Sequence, residues 1–155
     1  MYKRQLLRTR LRRFGHGDWD SLYTGIGPSR ELIGRAVANL PRAADRNRNA
    51  ALRADIADAA ALRAVESSSL VRPTQIAGSI AGGGPNDTRP LAIAVNGTIE
   101  ATGVTFHLRL PKAQRSRTAE SFAVMVPERS IHPDRNRVEV FEIVGGDSLR
   151  LLGST

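Results

Sequence analysis

The spacing of apolar residues along the chain changes near Ser69. Before this residue, apolar side chains recur every three or four positions, which is the spacing of an amphipathic helix. After it, they alternate with polar residues, which is the spacing of a half-buried strand. The sequence therefore predicts an α+β chain. A helical N-terminal connector over residues 1–68 is followed by a small antiparallel β-sandwich accessory domain over residues 69–155.

Four helices are predicted in the connector. In the first, Met1–Phe14, the side chains of Leu7, Leu11 and Phe14 share one face, and two glycines follow it. Trp19–Tyr23 is predicted as a short helix, the third helix runs from Ser29 to a stop at Pro41, and the fourth covers Ala50–Val65.

Six or seven short strands are predicted after the connector, as in an antiparallel sandwich. Asn96-Gly97 is a strong signal for a tight hairpin turn, because both residues of such a turn need a positive φ. The apolar phase of the returning strand slips at Gly103, which predicts a β-bulge or bend there. The predicted core side chains are Leu91, Ile93, Val95, Phe106, Phe122, Val124, Val138 and Val140.

The net charge of +8 lies almost wholly in the first third of the 155-residue chain. Residues 1–48 hold 11 Lys and Arg against four acidic residues, and Met1–Phe14 contains no acid at all. A basic amphipathic helix of this kind can lie on an anionic membrane surface or dock through its leucines on a neighbouring domain. Nucleic acid is not the expected partner, because Trp19 and Tyr23 are too few for base stacking.

The chain shows no pattern of catalytic chemistry. It contains no Cys, so a disulfide, a Cys nucleophile and a Cys-ligated zinc are excluded. His16, His107 and His132 are far apart, and His107 alternates out of phase with its apolar neighbours and is expected to face solvent. No catalytic, cofactor-binding or metal-ligating residue is therefore predicted, and no cofactor.

Two short motifs could suggest ligands. The pattern H-x-D-x-D at residues 16–20 offers possible metal ligands, but the remaining ligands of a calcium loop do not follow, and a helix cap is the simpler interpretation. The glycines at 82–84 lack the Lys and Ser or Thr of a phosphate loop. No apolar run approaches 18 residues, so neither a transmembrane helix nor a signal peptide is expected.

Two regions of the chain resemble a known family. The first carries RRFGHGDWDSLY at 12–23, GIGP at 25–28 and ELIGR at 31–35. The second carries AVNG at 94–97, FAVMVPE at 122–128 and PDRNRVEVF at 133–141. Together they resemble the C-terminal region of membrane-anchored, sulfatase-like proteins of actinobacteria, which belong to the alkaline-phosphatase superfamily of hydrolases and phospho-group transferases.

The resemblance implies a role without catalysis. Such proteins combine membrane helices with an extracytoplasmic α/β catalytic domain that holds divalent metal with Asp and His, and no position of this chain matches a catalytic motif. The chain is therefore expected to be a non-catalytic C-terminal accessory domain, a fragment whose Met1 falls within a connecting helix. Its expected place is the extracytoplasmic side of the membrane, and its expected partners are the catalytic domain or an anionic membrane surface.

Two other functions stay open on the sequence. An independent carbohydrate-binding or partner-binding sandwich would need exposed aromatic residues on a sheet face, whereas Phe106, Phe122 and Phe141 all fit core positions. A basic nucleic-acid-binding protein would use residues 1–48, where the positive charge is concentrated.

Overall fold

Antiparallel strands dominate the computed structural model, which describes residues 27–43, 52–66, 74–84, 86–107 and 120–155. The predicted helices Met1–Phe14 and Trp19–Tyr23 lie outside these ranges. In the described part of the chain the strands form two four-stranded sheets.

Sheet I has the strand order β1-β2-β6-β5, and sheet II has the order β4-β3-β7-β8. The strands of sheet I are β1 (Arg53–Ile56), β2 (Gln75–Ala81), β5 (Phe106–His107) and β6 (Glu120–Met125). The strands of sheet II are β3 (Pro90–Val95), β4 (Thr98–Val104), β7 (Val138–Val144) and β8 (Ser148–Ser154). Every strand pairing in both sheets is antiparallel.

The sheets pack face to face in a β-sandwich-like arrangement, with β1 beside β8 and β6 beside β4. The apolar layer between them is one continuous cluster to which both sheets contribute. The short helix α1 (Ala59–Arg63) and the residues after it add Leu62 and Val65 to this cluster. The buried members from the strands and the loop before β7 are Ile56, Ile76, Ile80, Leu91, Ile93, Val95, Ala101, Phe122, Val124, Val126, Ile131, Val138, Val140 and Leu152.

The other face of sheet II is covered by residues 27–43, which we call the strap. The strap contains the 3-10 turns Arg30–Leu32 and Val37–Asn39. Its three buried side chains, Leu32, Val37 and Leu40, form a second apolar cluster with sheet II. The sheet II members of that cluster are Ala92, Ala94, Ile99, Phe141, Ile143 and Leu149.

Backbone hydrogen bonds hold the strap to both edges of sheet II. At the β4 edge, the Gly34 N–H donates to the Ile99 carbonyl at 2.8 Å, and the Val37 N–H donates to the Gly97 carbonyl at 2.9 Å. At the β8 edge, the Leu149 N–H donates to the Pro41 carbonyl at 2.8 Å. The strap therefore crosses the outer face of the sheet from one edge strand to the other.

The predicted α+β class is wrong, because antiparallel sheets dominate and the only helical parts of the described connector are two 3-10 turns and the five-residue helix α1. Where a helix from Ser29 to Pro41 was expected, Gly34 has a φ of +83° and Ala36 is extended, so the chain follows the sheet edge instead. Burial of the strap's apolar side chains on sheet II outweighs helix propensity, which is a weak preference.

The predicted helix Ala50–Val65 is also wrong over its described residues. Residues Arg53–Ile56 form β1 and pair with β2. Asp58 then takes a left-handed φ of +53°, and only the five residues of α1 are helical. A helix this short has little stability of its own, so pairing with an existing strand decides the structure of the preceding residues.

The predicted core is confirmed at seven of its eight positions, since all but Phe106 are buried. Phe106 is 39% exposed because its strand pairs it with Ser121, on the outer side of sheet I. Phe141 is fully buried, in the cluster under the strap. There the Arg42 guanidinium lies 5.3 Å from the centre of the Phe141 ring.

The predicted hairpin turn is confirmed, with φ of +51° at Asn96 and +85° at Gly97. The predicted phase slip at Gly103 is wrong in position. The register shifts earlier, because Ile93 pairs with Ala101 while Ala94 pairs with Ile99, which leaves Glu100 as the extra residue. This bulge sends Ile99 to the strap side of sheet II and Ala101 to the inter-sheet core.

Replacement of Phe122 by Ala tests the inter-sheet core. Phe122 is 1% exposed, so Phe122→Ala should lower the free energy of unfolding by about 3–5 kcal/mol. Phe106→Ala is the matched control and should lower it far less, because that ring is already partly in water. Urea denaturation of the two variants measures the difference, and equal losses would contradict the assignment of Phe122 to the core.

Candidate functional site

Charged side chains occupy the space between the sheets at one end of the sandwich. Along four strands, every second side chain points into the space between the sheets. At this end of the sandwich, the last of these inward-pointing side chains is charged, whereas the one before it is apolar. The four pairs are Leu91 and Arg89, Phe122 and Glu120, Val140 and Glu142, and Leu152 and Arg150. We call these four charged residues, together with Asp87 and Thr105, the ion network.

Arg89 stands at the centre of the ion network, and its side chain is only 15% exposed. Its guanidinium lies 3.2 Å from Glu120 Oε2, 3.3 Å from Glu142 Oε1 and 2.6 Å from Asp87 Oδ2. Glu120 belongs to sheet I and Glu142 to sheet II. One arginine therefore joins the two sheets through its separate nitrogen atoms, as only a planar guanidinium can.

The other oxygens of both glutamates are also bonded. The Thr105 hydroxyl donates to Glu120 Oε1 at 2.5 Å and accepts the Arg89 backbone N–H at 2.8 Å. Glu142 Oε2 accepts a hydrogen bond from Arg150 at 2.9 Å. Glu120, whose side chain is 2% exposed, thus has both oxygens paired within the protein, as a buried carboxylate requires.

The electrostatics of Arg89 keep it charged. Burial alone would lower the pKa of Arg89, but the negative charge of Glu120 and hydrogen bonds to Glu120 and Glu142 outweigh it and raise the pKa above its ordinary value. Because folding raises the pKa of Arg89, its positive charge contributes to stability at neutral pH, and this contribution is lost only as the pH rises through the folded-state pKa.

The arrangement is that of a structural ion network. Each carboxylate in it accepts hydrogen bonds from an arginine, so the arginines occupy the positions around the carboxylates that a cation would need. Within the described ranges, no group of three or more His, Asp or Glu is placed to hold a metal ion.

The two described histidines, His107 and His132, are not brought together by the fold. His107 is half-buried rather than facing solvent as predicted, and its Nε2 donates to the Asp87 carbonyl at 2.6 Å, next to the ion network. His132 lies beyond the opposite end of β3, where its backbone N–H donates to Asn136 Oδ1 at 2.8 Å. The six residues of β3 separate these ends by about 20 Å. His16 and the H-x-D-x-D pattern lie outside the described residues.

No residue of the ion network was singled out from the sequence, although the pattern contained a usable signal. Each of its four charged strand-end residues stands two positions from an inward-facing apolar residue, so extending the period of two by one step places it between the sheets. What the sequence could not reveal is that the four strand ends meet at the same end of the sandwich.

Comparisons of the chain with protein-family models, with curated proteins and with solved structures found no match. Among the described residues, no helix has the length and apolar character needed to cross a membrane.

Replacement of Arg89 by Met tests the ion network. Arg89→Met leaves Glu120 buried without its cation and should lower the free energy of unfolding by about 3 kcal/mol. Arg53→Met, at an exposed position of β1, is the matched control and should change it by less than about 0.5 kcal/mol. Urea denaturation provides the measurement.

A second substitution separates loss of charge pairing from loss of packing. In Arg89→Met/Glu120→Gln the buried unpaired charge is gone, so part of the lost stability should return. A double variant as unstable as the sum of the two single variants would contradict a coupled network.

Proposed function

We propose that this chain is a non-catalytic β-sandwich accessory domain, and that the protein it serves is a sulfatase-like membrane protein of the hydrolase and phospho-group transferase class. The observation that supports this most is the ion network. Its carboxylates and arginines pair with one another across the two sheets, so the charged side chains between the described sheets hold the sheets together.

The residues that carry the resemblance support the same proposal, because two of their motifs meet in the fold. Asn96, of the AVNG motif, donates from Nδ2 to Asn136 Oδ1 at 3.1 Å, and Asn136 belongs to the PDRNRVEVF motif. The Arg137 backbone N–H in turn donates to Asn96 Oδ1 at 3.0 Å. These polar residues join the β3–β4 turn to the loop before β7, which is a structural task that suits a domain outside the catalytic site.

The proposed location and partner of this domain rest on the resemblance and on the positive charge of its N-terminal residues. The proposed partner is the catalytic domain of the parent protein, on the extracytoplasmic side of the membrane. The strap supports such an arrangement, since residues that lead into the sandwich from its N-terminal side are bonded to both edges of sheet II. The six basic residues of Lys3–Arg13 make an anionic membrane surface the second proposed partner, because each positive charge near such a surface is attracted to it.

The DNA sequence upstream of Met1 tests the proposal directly. If the chain belongs to a sulfatase-like protein, the reading frame should continue upstream without a stop codon. It should encode membrane helices and a domain with clustered Asp and His ligands. An in-frame stop codon immediately upstream, with no such coding sequence in the other two frames, would contradict the proposal.

The purified chain should hydrolyse neither aryl sulfates nor phosphate monoesters, with or without added divalent metal. The reason is that the proposed role assigns the chemistry to the parent's catalytic domain. Release of nitrophenol from the sulfate and phosphate esters measures this. Metal-dependent turnover that persists in the wild-type protein after further purification, and disappears on heat unfolding, would show that the chain itself is an enzyme.

A further inference from the structure

Asn96 and Gly97, at the β3–β4 turn, are the only Asn-Gly pair in the sequence. Asparagine is one of the thermally labile residues, because its side-chain amide can be hydrolysed. A following glycine favours this reaction, because glycine has no Cβ to hinder attack by its own backbone nitrogen. Asn96 is exposed, so water reaches it. The turn is therefore a chemically sensitive position of the described fold.

The hydrolysis of such an amide passes through a five-membered succinimide ring. The Gly97 backbone nitrogen attacks Asn96 Cγ and forms a new N–C bond. The Cγ–Nδ2 bond breaks, and Nδ2 leaves as ammonia with the proton of the Gly97 N–H. Water then opens the ring at either of its two carbonyl carbons. In total, one water is consumed and one ammonia released, and residue 96 becomes aspartate or isoaspartate.

The folded turn blocks the first step of this reaction. To close the ring, the Gly97 nitrogen and the Asn96 Cβ must lie on the same side of the Asn96 Cα–C bond. In the type I′ turn that the positive φ of both residues indicates, these two atoms lie on nearly opposite sides of that bond. The nitrogen can therefore reach Cγ only after the turn has opened.

Two other segments hold the turn closed. From the loop before β7, the Arg137 backbone N–H donates to Asn96 Oδ1 at 3.0 Å, and Asn136 Oδ1 accepts from Asn96 Nδ2 at 3.1 Å. From the strap, the Val37 N–H donates to the Gly97 carbonyl at 2.9 Å. The strap thus fixes the peptide group that follows the attacking nitrogen, and its detachment frees that group to rotate.

We propose that Asn96 is a deamidation site that the strap keeps closed. While the strap is bonded to the turn, the side-chain amide is preserved. When the strap detaches, the turn opens, the ring forms and residue 96 is converted to aspartate or isoaspartate.

The product cannot restore the contacts of the amide. An ionised carboxylate at residue 96 has no hydrogen to donate to Asn136 Oδ1 or to the Ser130 carbonyl, which lies 3.4 Å from Asn96 Nδ2. Asn136 cannot turn its own amide to compensate without breaking two hydrogen bonds to the backbone of His132, both of 2.8 Å. Deamidation is therefore irreversible and weakens the junction between the turn and the loop before β7.

The rate of deamidation in the full-length protein tests the control by the fold. The protein is incubated at mildly alkaline pH, folded or unfolded in guanidinium chloride, and peptide mass spectrometry follows the conversion of residue 96. We expect the folded protein to react at least about tenfold more slowly, because its rate is multiplied by the fraction of molecules with an open turn. Equal rates in the two states would overturn the proposal, and this comparison needs no variant.

Two proline substitutions test the control by the strap. Val37→Pro removes the N–H that holds Gly97, and proline fits there because residue 37 begins a 3-10 turn after an extended Ala36. The matched control Ala43→Pro removes the bond from the Ala43 N–H to the Leu149 carbonyl, at the opposite edge of sheet II. Deamidation should be several-fold faster in Val37→Pro and unchanged in Ala43→Pro, with circular dichroism establishing that both are folded. No acceleration in Val37→Pro, or the same acceleration in both, would overturn the role of the strap.

The effect of the product is tested with Asn96→Asp. Aspartate tolerates a left-handed φ as asparagine does, so the turn itself is kept. The urea midpoint of unfolding should fall in Asn96→Asp. It should stay nearly unchanged in the control Asn39→Asp, which adds the same charge at an exposed position of the strap. Equal midpoints for the two variants would contradict the loss of the junction.

Discussion

Strand β3 is apolar on both of its faces, and this constraint organises the described fold. Leu91, Ile93 and Val95 point into the inter-sheet core, while Ala92 and Ala94 lie in the cluster under the strap. A strand of this kind must be covered on both sides, because each exposed apolar side chain loses the free energy gained by burial. Sheet I covers one side and the strap covers the other. The residues before the sandwich are therefore part of its packing.

The ion network complements this apolar layer at one end of the sandwich. A buried ion pair is often no better for stability than a well-packed apolar group, so its value lies more in specifying one arrangement than in adding free energy. Arg89 requires Glu120 and Glu142 at the same level of opposite sheets. Slipping any of these strands by one residue would turn its charged group outward and leave the others unpaired. The network thus favours one register of both sheets.

Period-two spacing predicted the inward residues of the sandwich well, because alternation reports directly on which face of a strand is buried. It predicted Phe122, Val124, Val138 and Val140 correctly. The Asn96-Gly97 turn was predicted separately from its two residue types, because such a turn depends on local backbone geometry alone. It failed at Phe106, since nothing local shows that the chain changes sheets at Thr105 and turns the next residue outward.

The errors before residue 67 have a different cause. Apolar residues such as Leu32, Val37 and Leu40 fit a helical face, but the same spacing suits an irregular segment that crosses several strands of a sheet. An amphipathic helix and a segment that crosses a sheet can be distinguished only by the surface that their apolar side chains contact. That surface is formed by residues that are far away in the sequence. The ion network was missed for the related reason that its members, from residue 87 to residue 150, meet only in the folded chain.

The strap has a mechanical consequence for any polypeptide joined to its N-terminal side. A pulling force applied at Gly27 would act first on β4, where it would shear several hydrogen bonds along the strand direction. It would then act through Pro41 on β8, at the opposite edge of the sheet. Because the force acts on both outer strands, it cannot separate the strands of sheet II by breaking their hydrogen bonds one after another from a single edge. The sheet would therefore resist such a pull through both of its outer strands together.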